Sequence, residues 1–446
     1  MSGKSVTHLS FINPKVSLMM FEEAGASIKR RSGDGDFLYP CYEDNCISNI
    51  PGTILDLFGV TGKRPRLPIE VASGSGEVDK VVLFVLDDFG YNQFLRYYKD
   101  SKFLSTLAEK SEVFPLTSIF PSQTTNALTT LNTGLTPQEH GLFEYYIYLK
   151  EVDSIVNTLR FKPIVSKKRN ELVEKGYNPN ILFRGSTIQN MLKEAGVKSF
   201  THISASYAYS HYSKLLFADS TFVPSMKSSD LIVNLRKKLE EEKGPAYFFV
   251  HLSDLDAIAH EYGPKSYEYG AELADISYLL NRELIQKIDA DTAKQTLLLM
   301  TSDHGGVHIV PEDTTYLNGF NDVLGNLKQG KTGKTILPIG SARDVFLHVK
   351  EEKLIETLRL LTEKVGGKAT IIETKDALNR GLFGHGEVTR EFIDRAGNLL
   401  ILPYGNETVF FEHFPDMKYN PIGQHGGLNE EEMLVPLAVT KLDELR

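Results

Sequence analysis

The sequence predicts an α/β fold, in which helices cover both faces of a mostly parallel central sheet to give a three-layer α/β/α sandwich. Three continuous apolar runs, at residues 81–86, 247–252 and 296–301, each end in acidic or histidine residues. Runs of this kind are typical of strands that are buried on both faces of a parallel sheet. Helical patterns fall between the runs, as the crossover connections of a parallel sheet require.

Length and composition fit this class. The chain has 446 residues, of which 41% are hydrophobic and 24% are charged, so it has the balance of a globular protein but is too long for one small core. The formal net charge of -9 argues against a surface for extended nucleic acid, because phosphate backbones are gripped by clustered Lys and Arg. An anionic substrate would therefore need a local attraction, such as bound cations.

The sequence also gives expectations for compartment and redox state. No apolar run of about 18 residues occurs, and the opening segment lacks the charged-then-apolar pattern of a secretory signal. We expect a cytoplasmic protein without a membrane partner. Two cysteines, Cys41 and Cys46, are too few for a disulfide framework. Reduced thiols are expected, with local pairing or metal binding as the alternatives.

Two helices follow from local signals. Ser186 and Gln189 have the spacing of a capping box, which predicts a helix that begins there and ends at Gly196. Residues 268–288 carry an apolar stripe at helical spacing that should face the core. Its members are Leu273, Ile276, Leu280, Leu284 and Ile288.

The chain divides into three predicted parts. Residues 1–78 hold several turn signals before the first clear strand, and we interpret them as an N-terminal arm or cover. The main domain takes residues 79–324 and 393–446. Residues 325–392 form a smaller α+β insertion.

The insertion is predicted from its element order. Residues 344–349 have a strand pattern, residues 353–365 have a helical pattern that ends at a glycine, and residues 369–373 have a second strand pattern. The chain is expected to rejoin the main domain around residues 399–402.

Acidic and histidine residues follow each of the three apolar runs. In open α/β sheets, functional side chains gather beyond the carboxyl ends of the strands, so these residues should converge. Asp87 and Asp88 follow the first run. The second run is followed by Ser253 and then by Asp254, Asp256 and His260, and the third by Ser302 and then by Asp303 and His304. A further histidine, His425, lies near the C-terminus.

Such a set favours a metal centre. A single Asp after a strand is ordinarily a cap or a loop residue, but several carboxylates and imidazoles at one sheet edge need a positive partner. Mixed Asp and His ligation with open positions suits catalytic zinc, with manganese or iron as alternatives.

The stretch FPSQTTNALTTLNTG, residues 120–134, predicts an extended segment that leads into a helix ending at Gly134. Thr124 would stand at the N-terminus of that helix, where free N–H groups and the helix dipole favour an anion. Thr at a helix start is usually only a cap. As a nucleophile, it would need its proton removed or its oxygen bound to a metal.

The order of these motifs resembles the type I phosphodiesterase and nucleotide pyrophosphatase family of the alkaline phosphatase superfamily. An Asp follows the first strand, and a Thr stands in an FPS segment that precedes a TGL and P..HG run at residues 133–141. Later come an Asp with a His four residues on, ending in YGP, then SDHGG, and then a late HGG. The resemblance covers roughly residues 80–440.

The resemblance implies an alkaline phosphatase-like fold, two divalent metal ions and a threonine nucleophile. Thr124 would attack phosphorus and form a covalent phosphothreonine ester. The implied ligands are Asp256, His260 and His425 for one metal, and Asp87, Asp303, His304 and the Thr124 oxygen for the other.

Two departures from the family pattern bear on the site. Asp88 stands where family members often have Gly, so Asp87 is the expected ligand. The phosphate-binding Asn of nucleotide pyrophosphatases is expected three residues after the nucleophile, where this chain has Ala127. Asn126, two residues after, is the substrate-binding candidate.

Several further residues lie near the motifs in the sequence. Asp254 and His308 are possible substitutes for a ligand, whereas His140, His251 and His385 are expected to be structural. Three tyrosines follow the Thr124 helix and either stack on a base or sugar or serve packing. They are Tyr145, Tyr146 and Tyr148.

The absence of a cationic side chain near Thr124 indicates the substrate class. Residues 120–134 contain no Arg or Lys, whereas monoester hydrolysis favours an Arg that clamps the extra anionic oxygens. We therefore expect a small phosphodiester, pyrophosphate or nucleotide substrate. A phosphomonoesterase, with Arg184 or Arg343 as its clamp, and a phosphonate or sulfate ester hydrolase are alternatives. A catalytically inactive binding protein is the alternative from another class.

Overall fold

The computed structural model describes residue 28 and residues 37–60, 65–68, 78–414, 417 and 421–446. These residues form an α/β structure around a large central sheet. In chain order, the strands are β1 (Lys80–Leu86), β2 (Glu112–Thr117), β3 (Tyr146–Leu149), β4 (Ser154–Asn157), β5 (Lys162–Pro163), β6 (Lys198–Ser204), β7 (Thr221–Ser225), β8 (Ala246–Leu252), β9 (Thr296–Thr301), β10 (Val307–His308), β11 (Thr315–Tyr316), β12 (Ile339–Gly340), β13 (Val345–Leu347), β14 (Ala369–Glu373), β15 (Leu399–Pro403), β16 (Val409–Phe410), β17 (Gly423–Gln424) and β18 (Leu434–Lys441).

The central sheet is mostly parallel, as predicted. Its order is β2-β18-β9-β1-β8-β6-β7, and only β18 runs against the other six strands. The three predicted apolar runs are β1, β8 and β9, which are neighbours in the middle of the sheet and are buried at every position. Burial on both faces explains why these strands are continuously apolar.

Helices cover both sides of the sheet and complete the predicted three layers. The part of the chain that the structure describes contains the α-helices Ile50–Leu57, Tyr91–Tyr97, Lys102–Lys110, Thr124–Thr133, Pro137–His140, Glu171–Glu174, Ile188–Glu194, Ala205–Ala208, His211–Leu216, Ser228–Glu241, Asp254–Tyr262, Tyr267–Leu279, Ala290–Lys294, Asn321–Gly325, Leu354–Val365, Thr374–Asn379, Arg390–Ala396 and Glu430–Met433. None of these helices has both the length and the apolar character that a membrane span requires.

The two predicted helices are present with small differences. The first begins one residue later than predicted, because Thr187 is its N-cap and forms the capping box with Asn190. Ser186 and Thr187 are adjacent hydroxyl residues, and the spacing of the sequence alone does not show which of the two is the N-cap. The stripe at residues 268–288 lies on the helix Tyr267–Leu279 and on a π-helical turn, Leu280–Ile285. All five of its apolar side chains are buried, as predicted.

The predicted arm at residues 1–78 falls largely outside the described residues. Its longest described part, residues 37–60, packs into the main core, where Cys46, Ile47, Ile50 and Ile54 are fully buried. The arm or cover at residues 1–78 stays a prediction. Both cysteines are free thiols.

A smaller antiparallel sheet, β12-β13-β15-β14, lies in the region of the predicted insertion. It has its own hydrophobic cluster, which extends from Leu317 to Phe411 and is therefore wider than residues 325–392. β15 pairs with β13 and β14 in this smaller sheet, while its residues Leu400 and Leu402 pack in the main core. The point at which the chain rejoins the main domain stays a prediction. An apolar alternation identifies a strand but not the sheet to which it belongs.

Candidate active site and metal centre

Three neighbouring strands of the central sheet bring the acidic residues together. β9, β1 and β8 are parallel, so their carboxyl ends meet at one edge of the sheet. Asp87 directly follows β1, Asp303 is the second residue after β9, and Asp256 lies in the first turn of the helix after β8. The convergence that the strand-end pattern predicts is present.

The first group of side chains, the Asp256 cluster, consists of Asp256, His260 and His425. Oδ1 of Asp256 lies 3.3 Å from Nε2 of His260 and 3.4 Å from Nε2 of His425. Asp256 and His260 are four residues apart on one helix, so both side chains lie on the same face. Their ligand atoms and that of His425 lie within 4.8 Å of one another.

His425 reaches this cluster because its loop is tied to the FPS segment. Nδ1 of His425 donates to the Ser122 carbonyl at 3.0 Å, and the Gly426 N–H donates to Ser122 Oγ at 3.1 Å. Gly426 has a φ of 120°, and a Cβ atom there would collide with the side-chain amide of Gln123. The HGG motif therefore requires glycine after the histidine.

The second group, the Asp87 cluster, consists of Asp87, Asp303, His304 and Thr124. Nε2 of His304 lies 3.5 Å from Oδ1 of Asp87, 3.3 Å from Oδ2 of Asp303 and 3.1 Å from Oγ1 of Thr124. Ligand atoms of Asp87, His304 and Asp256 also lie within 4.8 Å of one another. The two clusters therefore adjoin.

The three histidines of the clusters share one orientation. Each places Nδ1 on a backbone carbonyl, at 2.8 Å for His260 and Gly423, at 3.0 Å for His425 and at 3.1 Å for His304. A carbonyl only accepts, so Nδ1 carries a proton in each histidine, and Nε2 is the nitrogen that is directed towards the carboxylates. Backbone hydrogen bonds of this kind orient metal-binding histidines.

Three carboxylate oxygens in these clusters have no hydrogen-bond partner among the described residues. They are Oδ1 of Asp87, Oδ1 of Asp256 and Oδ2 of Asp303, and all three are buried. Such oxygens are costly unless a cation compensates them. Carboxylate oxygens and imidazole nitrogens together match the ligands of zinc, manganese or iron. These residues therefore fit divalent metal ions.

The clusters differ in their electrostatics. Burial raises the pKa of the Asp87 carboxyl well above its usual range, and the nearby Asp303 carboxylate adds to this effect. Burial by itself would raise the pKa of the Asp256 carboxyl. The charge interactions with His260 and His425 are stronger than this effect, so the pKa of Asp256 lies below its usual range. Burial opposes protonation of His425, yet contact with Asp256 outweighs it and raises the pKa to about 9. The Asp87 cluster thus lacks the positive charge that histidines supply to Asp256.

Thr124 is the first residue of the helix Thr124–Thr133, and Gln123 is its N-cap. The first N–H groups of a helix have no acceptor within the helix, so they are available to an anion. Thr124 is partly exposed, and it lines a cavity of about 610 Å³ together with Asp87, Asp256, His260 and His425. The predicted position of the threonine at a helix start is confirmed.

The cavity contains no Lys or Arg among its described lining residues. Arg184 pairs with Glu391 at 2.5 Å, and Arg343 forms a fully buried ion pair with Glu432 at 2.7 Å. Neither arginine lines the cavity, so neither provides the clamp that a phosphomonoesterase would need.

Asn126 does not lie where we expected a substrate-binding residue. Its side chain is fully buried, does not line the cavity, and donates from Nδ2 to the Pro121 carbonyl at 2.7 Å. Each helical residue turns the side chain by about 100°, so a residue two positions after Thr124 points to the opposite face. The structure thus places Asn126 away from the cavity, and its role in substrate binding stays a prediction.

His251 is closer to the site than we expected. Its Nε2 lies 3.0 Å from Oδ2 of Asp87, and it forms a third group of possible ligands with Asp87 and Asp303. His251 is the second-last residue of β8, so it does not belong to the residues that follow the strand, among which we expected the functional side chains. Its pairing with Val85 in β1, directly before Leu86, is the signal that places it near Asp87.

Three other candidates lie around the clusters. Asp88 is buried behind them, with a positive φ of 58° and its Oδ1 3.9 Å from Nδ1 of His304. Asp254 lines the cavity and accepts a hydrogen bond from Ser228. His308 is exposed and does not line the cavity.

The remaining histidines and tyrosines divide between packing and the cavity wall. His140 is buried and bonds to Thr130 and to the Leu142 N–H, as expected for a structural residue, and His385 packs edge-on against Tyr42. Tyr145 and Tyr146 line the cavity, whereas the Tyr148 hydroxyl donates to Asp153. They are joined in the cavity wall by Tyr207 and Phe410, which sequence patterns did not single out.

Comparisons with solved structures find the same fold in related hydrolases. Murine ectonucleotide pyrophosphatase/phosphodiesterase 5 is 18% identical over 80% of this chain and 87% of that chain, with a TM-score of 0.59. The human protein of that name is 17% identical over the same shares, also with a TM-score of 0.59. An inactive variant of the murine protein in complex with AMP gives a TM-score of 0.58 at 18% identity, over 81% of this chain and 88% of that chain.

A comparison with curated proteins finds no match. The family model for type I phosphodiesterase / nucleotide pyrophosphatase matches residues 81–428, which contain all the residues of both clusters. The match confirms the family that the ordered motifs resemble. The chain belongs to the type I phosphodiesterase / nucleotide pyrophosphatase family and is a phosphoric ester hydrolase.

Proposed function

We propose that this protein hydrolyses phosphodiester or pyrophosphate bonds of small nucleotide-like substrates, with Thr124 as the nucleophile and two divalent metal ions bound by the Asp87 and Asp256 clusters. The observation that carries this proposal is the position of Thr124. Its hydroxyl lies at a helix N-terminus, opens to the cavity and is 3.1 Å from Nε2 of His304.

The neighbours of Thr124 favour its role. Because Nδ1 of His304 donates to the Gly305 carbonyl, Nε2 of His304 accepts, and the Thr124 hydroxyl donates to it. This contact holds the Thr124 oxygen next to His304, one of the proposed metal ligands. Thr125 is less suited, since it is almost fully buried on the next helical position.

The reaction would proceed in two displacements. Oγ1 of Thr124 forms a bond to phosphorus, the bond from phosphorus to the leaving group breaks, and a phosphothreonine ester results. Water then attacks this ester and regenerates the hydroxyl. The N–H groups in the first turn of the Thr124 helix hold the phosphoryl oxygens during both steps.

Divalent ions at the two clusters would lower the pKa of the nucleophilic hydroxyl and stabilise charge on the attacking and leaving oxygens. The residues of this chain fix where those charges develop. Asp87, Asp303 and His304 surround Thr124, and the Asp256 cluster lies on the adjoining side.

The charge of the cavity lining supports a diester or pyrophosphate rather than a monoester, and its aromatic side chains support a nucleotide-like substrate. A monoester carries an extra anionic oxygen, and no Lys or Arg among the described lining residues would meet it. Tyr145, Tyr207 and Phe410 give the cavity an aromatic wall suited to a planar ring. The AMP complex of the structurally similar murine protein supports a nucleotide substrate.

A substrate comparison tests the proposal. The metal-loaded protein should cleave bis(p-nitrophenyl) phosphate at least about tenfold better in kcat/KM than p-nitrophenyl phosphate, equivalent to about 1.4 kcal/mol of transition-state preference. A preference of that size for the monoester would contradict the proposed class. An aryl phosphonate and an aryl sulfate, assayed in parallel, separate the remaining ester hydrolases.

Metal analysis separates the enzyme from a catalytically inactive binding protein. We expect roughly two divalent ions per chain, and their absence from a correctly folded preparation would support the binding protein. Zinc as the native metal and the cytoplasmic location stay predictions, which metal analysis of protein isolated from its own cells and cell fractionation would check.

A further inference from the structure

A second cavity adjoins the one that contains Thr124. It has a volume of about 260 Å³, and Arg160 and Arg169 are among its lining residues. The two cavities share a wall that consists of Tyr145, Leu159, Ser206 and Tyr207. A ligand that rests on this aromatic wall in the first cavity therefore lies next to the second.

The two arginines of this second cavity are not neutralised. Among the described residues, neither forms an ion pair, in contrast to Arg184 and Arg343, which pair with glutamates. The Arg169 guanidinium donates to the Ser206 carbonyl at 3.5 Å, a long hydrogen bond that leaves most of its donors unused. Arg160 is anchored by its backbone N–H, which donates to Asn157 at 2.9 Å.

The surroundings of these arginines are basic and polar. Residues 160–169 contain five cationic side chains in a chain whose net charge is -9. Of the nearby lysines, Lys168 pairs with Glu174, whereas Lys167 has no carboxylate partner among the described residues. Ser210, Tyr209 and Asn170 add hydrogen-bonding groups to the cavity wall.

The two cavities therefore differ in the ligands they suit. The first combines carboxylates, histidines and aromatic side chains without any lining Lys or Arg in the described chain. The second offers two guanidinium groups, which bind phosphate through paired, charge-assisted hydrogen bonds. Its volume suits a small anionic group rather than a polymer.

We infer that the second cavity binds an anionic group on the substrate, a second phosphate separate from the one at Thr124. The substrate class would then be a nucleotide-like ester that carries two phosphates apart from each other, with its ring system against Tyr145 and Tyr207. This inference rests on the proposed function, because it assigns the reacting phosphate to Thr124.

Equilibrium binding tests the inference without turnover. Isothermal titration of the metal-loaded protein with adenosine 3′,5′-bisphosphate and with AMP should show at least about tenfold tighter binding of the bisphosphate, corresponding to about 1.4 kcal/mol. In the double variant Arg160→Gln/Arg169→Gln, this advantage should fall to less than about twofold while AMP binding is unchanged.

A matched variant controls for net charge. Lys214→Gln/Lys334→Gln removes two exposed cations that line neither cavity, and it should keep the full preference for the bisphosphate. Equal binding of the two nucleotides by the wild type, or an equal loss of preference in both double variants, would overturn the inference.

Kinetics distinguish failure of this inference from failure of the proposed function. The p-nitrophenyl ester of thymidine 5′-phosphate and the same ester with a 3′-phosphate should differ in KM, at least about tenfold in favour of the bisphosphate, with similar kcat. If both esters are cleaved with equal KM values, the proposed hydrolase function is supported and the proposed second phosphate site is contradicted. If neither ester is cleaved, the proposed function fails, and arginine-dependent binding of the bisphosphate then decides the second site by itself.

Discussion

Nε2 of His251 lies 3.0 Å from Oδ2 of Asp87, across the two adjacent parallel strands β8 and β1. This contact fixes the carboxylate that follows β1 in an orientation in which its other oxygen faces Nε2 of His304 at 3.5 Å. His251 therefore acts on the Asp87 cluster, either by positioning Asp87 or as a ligand itself.

The first prediction concerns this histidine. His251→Ala should lower the affinity for zinc by about 10–100-fold, the usual effect of removing a partner that orients a ligand, while the fold is retained. Titration of the metal-free protein with zinc and a competing chelator measures the effect. His308→Ala, an exposed histidine outside both clusters, is the matched control. Unchanged zinc affinity in His251→Ala would assign the residue to packing.

The second prediction concerns the nucleophile. Thr124→Ala should lower kcat by several orders of magnitude but keep most of the bound metal, because Asp87, Asp303 and His304 remain. Thr124→Ser should retain a measurable fraction of activity, since it keeps the oxygen and loses only the methyl group that restricts the rotamer.

Thr125→Ala is the control for this experiment, because Thr125 also lines the cavity and its hydroxyl has no hydrogen-bond partner among the described residues. Rapid quenching during diester turnover, followed by peptide mass mapping, should locate the phosphoryl group on Thr124. A phosphoryl group on Thr125, or ordinary turnover by Thr124→Ala, would show that the assignment is wrong.

The third prediction separates stability from metal binding. Asp303→Asn should lose metal and most activity, yet it should raise the free energy of unfolding of the metal-free protein by about 1–3 kcal/mol. The reason is that Oδ2 of Asp303 is buried without a hydrogen-bond partner and lies close to the Asp87 carboxylate. Urea denaturation in the presence of a chelator, with metal analysis alongside, measures both effects.

Asp254→Asn is the matched control for that variant. Asp254 lines the same cavity, but it bonds to Ser228 and belongs to neither cluster. Its substitution should leave the metal content unchanged. A metal-free Asp303→Asn protein that is less stable than the wild type would contradict the electrostatic explanation.

The fourth prediction concerns pH. Burial raises the pKa of Glu144, which lines the cavity, from 4.5 to about 7, although two backbone N–H groups oppose the shift. The folded protein therefore holds this proton more tightly than the unfolded chain. The resulting stability is fully present below pH 4.5 and is lost as the pH rises through about 7.

Glu144→Gln should remove the contribution of this carboxyl to the pH dependence of the free energy of unfolding. Denaturation of the metal-free protein between about pH 5 and pH 8 should give a flatter profile for the variant than for the wild type. Glu387→Gln, at an exposed position, should follow the wild-type profile. Parallel profiles for Glu144→Gln and the wild type would rule out a buried proton at Glu144.

Much of the fold and of the candidate site follows from sequence because both depend on buried strands. The runs that become β1, β8 and β9 are recognisable from continuous apolar character, and parallel pairing then forces Asp87 and Asp303 to the same edge. Thr124 could be placed because the pattern that begins a helix is local.

Other features depend on contacts that no local pattern contains. The position of His425 is set by hydrogen bonds to Ser122, about three hundred residues earlier in the chain, so only the family resemblance assigned it to the same metal as Asp256 and His260. Asn126 faces away from the cavity because its angle around the helix, and not only its distance along the chain from Thr124, sets the direction of its side chain. Glu144 was not singled out, and His251 was expected to be structural, because each lies beside the site through tertiary packing.

The position of β18 in the central sheet affects how the chain folds during synthesis. β18 lies between β2 and β9, although it is the last strand of the sheet to leave the ribosome. Until it emerges, β2 and β9 remain unpaired edges, which are prone to associate with other chains. His425 emerges shortly before β18, so the closing of the sheet and the assembly of the Asp256 cluster belong to the same late stage of folding.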